Sequence, residues 1–482
     1  MAFLPVILWS DVLIWLLFAT AAIFGWLSVR NPLWRTAWQR VGRSRAGMAS
    51  ATVLVVFVGV GLLDSIHYRP RLEEAAASAA SGTSRQPPAY AVEVLSALDA
   101  ILTPLRTRNE KTYSEPLATR AYAKESIESR GADGQLQQSR DYPRLKHGGA
   151  HLGTDETQRD ADIGQRLLRA LALATLLWWA LAAATAAGLA RAESCTHKEA
   201  WRRIWHNESD FAWNAVLATI GVLLLVVLPL AALSFNYHVF GTDKVGQDVF
   251  YQVLKSVRTA LVIGLVTTLV TLPLAIFLGV LAGYFRGWVD DLIQYLYTTL
   301  SSIPGVLLIA AAVLMMQVLI DNHPQWFATA AERADLRLLA LCFILGVTSW
   351  TGLCRLLRGE TLKLRELEYI QAAQAFGVAD LRIIGRHILP NLMHIVIIAL
   401  VMDFSSLVLA EAVLSYVGIG VDPTMISFGT MINNARMELA REPMVWWSLA
   451  AAFVFMFTLV LAANLLADAV RDAFDPRIAG SA

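Results

Sequence analysis

The sequence predicts an all-α polytopic membrane protein, and three observations carry that prediction. Of the 482 residues, 56% are apolar and only 16% charged, the composition of a chain that spends much of its length in lipid. Nine mainly apolar runs reach the roughly 18 residues a helix needs to cross a bilayer. They fall near 5–29, 46–64, 167–190, 211–235, 259–284, 292–319, 336–356, 388–418 and 445–468. Lys and Arg concentrate in alternate short connections, as in loops that stay in the cytoplasm.

Other classes are disfavoured by the same composition. A formal net charge of +1 gives no reason to expect nucleic acid as a partner. The three cysteines, Cys195, Cys342 and Cys354, are odd in number and lie outside the one large polar region, so neither a disulfide framework nor a metal site is implied. The opening MAFLPVILWSD has no basic residue before its apolar run, which reads as a retained span rather than a secretory signal. The chain contains no G-x-x-x-x-G-K-[ST] phosphate loop, H-E-x-x-H or G-x-S-x-G, so ATP binding of that type and the corresponding hydrolases are not expected in it.

Orientation follows from the basic residues. The connection 30–45 carries Arg30, Arg35, Arg40, Arg43 and Arg45 without an acid; 191–210 carries Arg191, Lys198, Arg202 and Arg203; 355–387 carries six Lys or Arg. The alternate connections 236–254, 320–335 and 419–444 carry one, one and two. The N-terminus is therefore expected outside and the C-terminus inside. Losing the first span would move both termini inside without changing any other loop.

The polar segment 66–165 then lies outside. Its first part, Glu73 to Tyr90, is Ala/Ser-rich with paired prolines, the composition of a flexible linker. Beyond it, Tyr113, Tyr122 and Tyr142 stand among alternating charges and few aliphatics, so any folded lobe is expected to be small. The segment reads as a solvated insertion or as a contact surface for an extracytoplasmic partner. Leu152-Gly153-Thr154-Asp155, with Asp160 five residues on, recurs as Phe240-Gly241-Thr242-Asp243, with Asp248 five residues on. Each copy precedes a span, which suggests a partial duplication beside the alternative of chance. Chemically, Gly241, Thr242, Asp243 and Asp248 read as an extracytoplasmic turn, with glycine supplying an unusual dihedral and Thr and Asp capping backbone.

Between two long apolar runs lies ELEYIQAAQAFGVADLRIIGRHILP, Glu366 to Pro390. Tyr369 to Phe376 is made of helix formers with Ile370, Ala373 and Phe376 at every third position, which predicts a short surface helix ended by Gly377. Small Ala372, Ala373 and Ala375 would let another surface approach closely, and Phe376 offers a bulky anchor. Pro390 suits the first turn of the next helix. A merely amphipathic cytoplasmic loop is the alternative. In the eighth run, Asp403 and Glu411 lie about 80° apart around a helix and should face the bundle interior or water. They read as hydrogen-bond partners of neighbouring spans or as candidate pathway residues. Asn391 and His394 fall near the inner interface and suit headgroups or packing.

Gln371-Ala372-Ala373, Gly377 four residues on and Leu389-Pro390 resemble the EAA loop of ABC importer permeases, with Gln371 in place of the usual Glu and His387 in place of Ile. The order FGTDKVGQDVFYQVLKSVRTALVIG, LGVLAGYFRGWVD, this loop, RHILPN, LAEAVLSYVGIGV and VRDAFDPR resembles the C-type permease subunit of dipeptide and oligopeptide ABC importers, the binding-protein-dependent transport system inner membrane component. It covers about half the chain, Phe240 to Arg477. RSRAGMASATVLVVF at 43–57 resembles the usual first span, while spans one, three and four look like additions.

The resemblance implies a type I ABC importer permease core of five to six spans, with extra N-terminal spans and an extracytoplasmic insertion, in a bacterial-type inner membrane. The implied divisions are 1–65 (two N-terminal spans), 66–165 (insertion), 166–239 (two added spans), 240–477 (permease core) and a tail, 478–482. It assigns Glu368, Tyr369, Gln371, Ala372, Ala373, Ala375, Phe376, Gly377, Leu389 and Pro390 to ATPase coupling. It implies a homologous second permease, two ABC ATPase subunits carrying ATP and Mg, and an extracytoplasmic solute-binding protein, with no cofactor in this chain. Alternating access is the implied mechanism. Relatives carry dipeptides, longer peptides, peptide-like antibiotics, nickel chelates or glutathione. A self-contained secondary transporter or a membrane-embedded enzyme is the competing reading.

Overall fold

Among the described residues six helices are long and apolar enough to cross a membrane, and two bent helix pairs bring the number to eight when each pair counts as one span. The computed structural model describes residues 3–30, 32–71, 90–130, 136–153, 155–206, 209, 211–327 and 329–474. Apart from Tyr90, the linker expected over 73–90 lies outside these residues, as do Thr154 of the first Gly-Thr-Asp copy, residues 475–477 of the last quoted motif and the tail 478–482.

The chain opens with β1 (Phe3–Val6), followed by α1 (Trp9–Arg30), α2 (Pro32–Arg43) and α3 (Arg45–Asp64). The first expected span begins later than expected because residues 3–6 are used as strand; α1 follows over 22 residues. Ser44 caps α3, its Oγ accepting the N–H of Gly47 at 3.1 Å, which satisfies one of the orphan donors of the first turn. β1 pairs antiparallel with β2 (His67–Pro70), Phe3 opposite Pro70 and Val6 opposite His67, and β2 pairs with β3 (Leu95–Ser96). The N-terminus and the insertion therefore share one side of the membrane, as the arginine asymmetry predicts. A hairpin of β4 (Glu125–Arg130) and β5 (Leu136–Asp141) completes the strands. The all-α expectation holds for the spans; among the described residues the strands are confined to the N-terminus and the insertion.

After the insertion come α4 (Arg159–Ala192), α5 (His197–His206) and α6 (Trp213–Ser234). α4 buries Ala170, Ala174, Ala182, Ala186 and Ala190, a stripe of small residues that lets it lie close on α6. Trp178 Nε1 donates to Leu217 O of α6 at 2.7 Å. α6 rests on α3, and α3 rests on the core, so the two added spans form a peripheral layer.

The centre of the molecule is α7 (Val249–Phe285), which packs against α3, α10 (Ala330–Ser349), α11 (Thr351–Arg365), the helix Asp380–Val417 and α15 (Trp447–Phe474). The sixth expected span, 292–319, is instead α8 (Gly287–Ser302) and α9 (Gly305–Asp321), bent by 88°. Ile303 between them is extended, φ −88° and ψ 133°, because the residue before a proline is pushed out of the helical region. The seventh, 336–356, bends by 40° between α10 and α11. α12 (Glu368–Ala375) follows, then α13 (Asp380–Val417), whose residues Ile384–Ile388 form one π-helical turn. Pro390 stands in the first turn of the α-helical part Leu389–Val417, as expected, and the π turn joins that part to Asp380–Ile383. The π turn accommodates the missing N–H of the proline and its ring within a continuous helix. α14 (Phe428–Glu438) leads to α15.

Candidate functional site

The loop between α11 and α13 is a short helix on a stiff mount. α12 begins at Glu368 and ends in a Schellman motif: Gly377 N–H donates to Gln374 O at 2.9 Å and Val378 N–H to Ala373 O at 3.1 Å. This motif needs a left-handed residue, and Gly377 supplies it at φ +73°. Ile370 is fully buried, and Ala373 and Val378 pack against the same apolar cluster. Ala373, expected on the contact surface, is half-buried and turns part of its surface to this cluster. A residue three positions C-terminal to Ile370 stays on the buried side. Phe376, expected in line with these two, is instead 88% exposed, because it is the cap residue where the helix ends.

Glu368, Gln371, Ala372, Ala375 and Gly377 are exposed, and Tyr369 is partly so. Small side chains, one protruding ring and a polar rim thus share one surface. Gln371 Nε2 donates to the backbone O of Glu366 at 3.3 Å, so it braces its own loop. Tyr284 and Arg286, which were not singled out in the sequence, hold the mount together with Asn391. The buried Tyr284 at the end of α7 donates its hydroxyl to Asp380 at 2.7 Å and accepts from Gln374 Nε2 at 3.2 Å. Arg286 pairs with Glu366. Asn391 reaches the Tyr369 hydroxyl at 3.2 Å and the His387 carbonyl at 2.7 Å, so both of its contacts are local packing. Leu389 is half-buried and Pro390 exposed on α13.

The two acids of α13 part company. Glu411 is 2% exposed and accepts from Ser415 Oγ at 2.6 Å and Ser427 Oγ at 2.9 Å. Ser427 is the N-cap of α14, so Glu411 ties two helices together and offers no surface to a passing solute. Asp403 is partly exposed, beside Met402, Ser406 and Leu409 on the open face of α13, and its carboxylate has no hydrogen-bond or ion-pair partner among the described residues. A bare carboxylate is costly in lipid, so this face suits water or another chain.

On the outer side, the second Gly-Thr-Asp segment does more than turn. Gly241 has φ +68°, and a Cβ there would stand 2.3 Å from Ser114 O. Thr242, fully buried, accepts the N–H of Ser114 at 2.7 Å and donates to Thr112 O at 2.9 Å, so it grips the insertion rather than its own turn. Asp243 accepts from Val245 N and Gln247 N, and Asp248 caps α7 through Phe250 N and Tyr251 N. In the first copy Gly153 also has positive φ and Asp155 caps a short helical turn, but the N-cap of α4 is Gln158, not Asp160. The likeness stops at the turn.

The insertion itself is docked. Tyr113 is buried in the core cluster beside Val249 and Trp447, and the Tyr122 hydroxyl donates to Met444 O at 2.9 Å. Tyr142 remains exposed. His238 is clasped between Asp248, at 2.7 Å from Nδ1, and Glu110, at 3.3 Å from Nε2. Burial opposes its charge, but the two carboxylates outweigh burial and push the imidazole up to about 9. Burial likewise opposes ionisation of Glu110, yet His238 and the N–H groups of Lys146, His147 and Gly148 hold it down at about 2.

Comparison with known proteins places this architecture. A glutathione transport system permease from Pectobacterium atrosepticum is 32% identical over 301 residues, spanning 58% of this chain and 91% of the relative. The chain belongs to the binding-protein-dependent transport system inner membrane components. The family's conserved model matches residues 275–480, from the second half of α7 through α12, α13 and α15. An oligopeptide transport system permease from Mycobacterium tuberculosis is 30% identical over 288 residues (57% of this chain, 92% of the relative). A dipeptide transport system permease from Bacillus subtilis is 27% identical over 294 residues (58% and 86%). As a member of this family the chain is a multi-pass inner-membrane transport subunit.

Proposed function

We propose that this chain is the permease subunit of an ATP-driven importer for peptides or peptide-like solutes. It forms half of a translocation pathway that a homologous second permease completes, and it couples through α12 to a separate ABC ATPase. ATP and Mg sit on the ATPase chains, and an extracytoplasmic solute-binding protein delivers the substrate. The substrate class is supported by the relatives, which are permeases for glutathione, oligopeptides and dipeptides.

The observation that carries the coupling role is the exposed face of α12. An 88%-exposed Phe376 beside small Ala372 and Ala375 is a knob with clearance around it, the form a helix takes when it docks in a groove. Its mount is stiff, through Ile370, Tyr284 and Asp380, so a push on α12 passes to α7 and α13. The partly exposed, unpartnered Asp403 supports placing the pathway or the second permease against the open face of α13.

The test is reconstitution in proteoliposomes with the partner permease, ATPases and binding protein, reading ATPase co-purification and substrate-stimulated turnover. Replacing Phe376 with Ala should reduce both while membrane insertion stays normal. Undiminished co-purification and turnover would overturn the coupling role.

A further inference from the structure

At the outer face, where the start of α1, the end of α3, β2, α7 and the start of α10 meet, lies an open cleft of about 230 Å³ lined by Asp64, His67, Lys255, Arg258, Ala331 and Asp335, among others. This is far more than the roughly 10–15 Å³ that one water needs. Among the described residues the carboxylates beside it are Asp11, Asp64, Asp99 and Asp335, and the cations paired with three of them are Lys255, Arg258 and, when protonated, His67. Asp64 and Asp99 share the one ammonium of Lys255, at 2.6 and 3.1 Å. Asp11 takes Arg258 at 2.6 Å and His67 at 2.7 Å. Asp335, 4% exposed, accepts only from the N–H and Oγ of Ser10 and has no cation at ion-pair distance among the described residues.

The lining is short of positive charge where Asp335 sits, and it also holds a spare donor. Arg258 is 5% exposed, with Nε and Nη2 committed to Asp11 and Ser10, while Nη1 has no hydrogen-bond partner among the described residues. A carboxylate buried without a cation is costly. The missing complement is a ligand with a cationic group for Asp335 and an adjacent oxygen for the guanidinium. No three His, Cys, Asp or Glu side chains among the described residues converge as a metal would need, which favours an ammonium over a divalent cation. Ala330, Ala331 and Ala334 in the wall leave room for it.

We infer that this cleft binds the free amino end of a peptide, its ammonium against Asp335 and its first carbonyl oxygen toward Arg258. The site deepens the importer reading and rests on it, adding that the permease itself selects solutes with an unblocked amino terminus. The residues come from α1, α7 and α10 together, so the added N-terminal helix is part of the site through Ser10 and Asp11.

The experiment is calorimetric titration of the full chain in lipid nanodiscs, without ATPase or binding protein, using trialanine, N-acetyl-trialanine and sodium chloride as probes. Trialanine should bind, and N-acetylation should weaken binding at least tenfold. Asp335→Asn should reproduce that loss, and Ala331→Trp, at the half-exposed mouth where folding is spared, should abolish binding. Absence of trialanine binding, equal binding of the acetylated probe, or binding unaffected by Ala331→Trp would overturn the inference. So would sodium chloride displacing trialanine by filling the site as an inorganic cation. Any of these beside intact ATPase co-purification and turnover would discard the cleft site and leave the coupling role standing.

Discussion

Thr242 accepts the backbone N–H of Ser114 at 2.7 Å across 128 residues of sequence. The contact closes the outer insertion onto the turn that starts α7. The Trp447 indole donates to the carbonyl of the same threonine at 3.0 Å, so insertion, turn and last span meet at one residue.

Thr242→Val keeps the shape of that residue and removes its hydroxyl. The Ser114 N–H is then buried without an acceptor, which typically costs about 1–3 kcal/mol. The expected result is a lower melting temperature of the purified protein and faster proteolysis within the insertion, with unchanged membrane insertion. Wild-type protease resistance would show that the contact contributes nothing to docking.

The His238 clasp makes docking pH-dependent. Its imidazole is raised from an ordinary 6.5 to about 9, so its contribution is complete below about 6.5 and is lost as pH rises through about 9. The shift corresponds to stabilisation on the order of 3 kcal/mol. Glu110 is lowered from 4.5 to about 2, so its contribution is complete above about 4.5 and is lost as pH falls toward 2. Thermal stability should therefore peak between these limits. His238→Gln should flatten the fall between pH 6.5 and 9; an unchanged alkaline limb would exclude the clasp as its cause.

Two alanines of α12 should behave differently. Ala375→Trp adds bulk on the exposed face, and overpacking at a contact costs about 1–3 kcal/mol, roughly five- to 150-fold in association. It should weaken ATPase co-purification without lowering yield. Ala373→Trp would force bulk into the cluster around Ile370 and should lower stability itself. Gly377→Leu sets a side chain at φ +73°, which costs about 1–2 kcal/mol and should fray the end of α12. Gln371→Glu should be tolerated. The measurements are yield, melting temperature and co-purification; equal behaviour of the two tryptophan variants would contradict the assigned faces.

Deletion of residues 75–88 should leave a folded protein. Arg71 and Tyr90 form an antiparallel bridge, and Ala91 N–H donates to Pro70 O at 2.9 Å, so pairing closes on both sides of the excised stretch. A shorter connection between paired ends changes closure entropy only slightly, by about 0.6 kcal/mol per halving. Size-exclusion chromatography and melting temperature should match the parent within about 2 °C, near what such a difference shifts in a protein this large. Aggregation of the deletion would show that the segment is packed.

Much of this architecture was legible in the sequence, for a local reason. A span needs only an unbroken apolar run, and a helix end needs only a residue whose own backbone fits. The apolar runs became long helices or bent helix pairs, Gly377 ended α12, and Asp248 opened α7. The Pro304-Gly305 pair that breaks the sixth run was also readable, although continuous hydropathy masked it. What the tertiary structure alone decided depends on partners far along the chain. Thr242 read as a turn residue because its acceptors and donors are 112–114. Glu411 read either as a hydrogen-bond partner or as a pathway residue, because Ser427, which decides for the first, is invisible from α13. Ala373 read as surface because the cluster that partly covers it comes from α7, α11 and α13. Helical spacing shows which residues share a face, but the direction of that face is set by whatever packs against it, and that information lies in the folded chain.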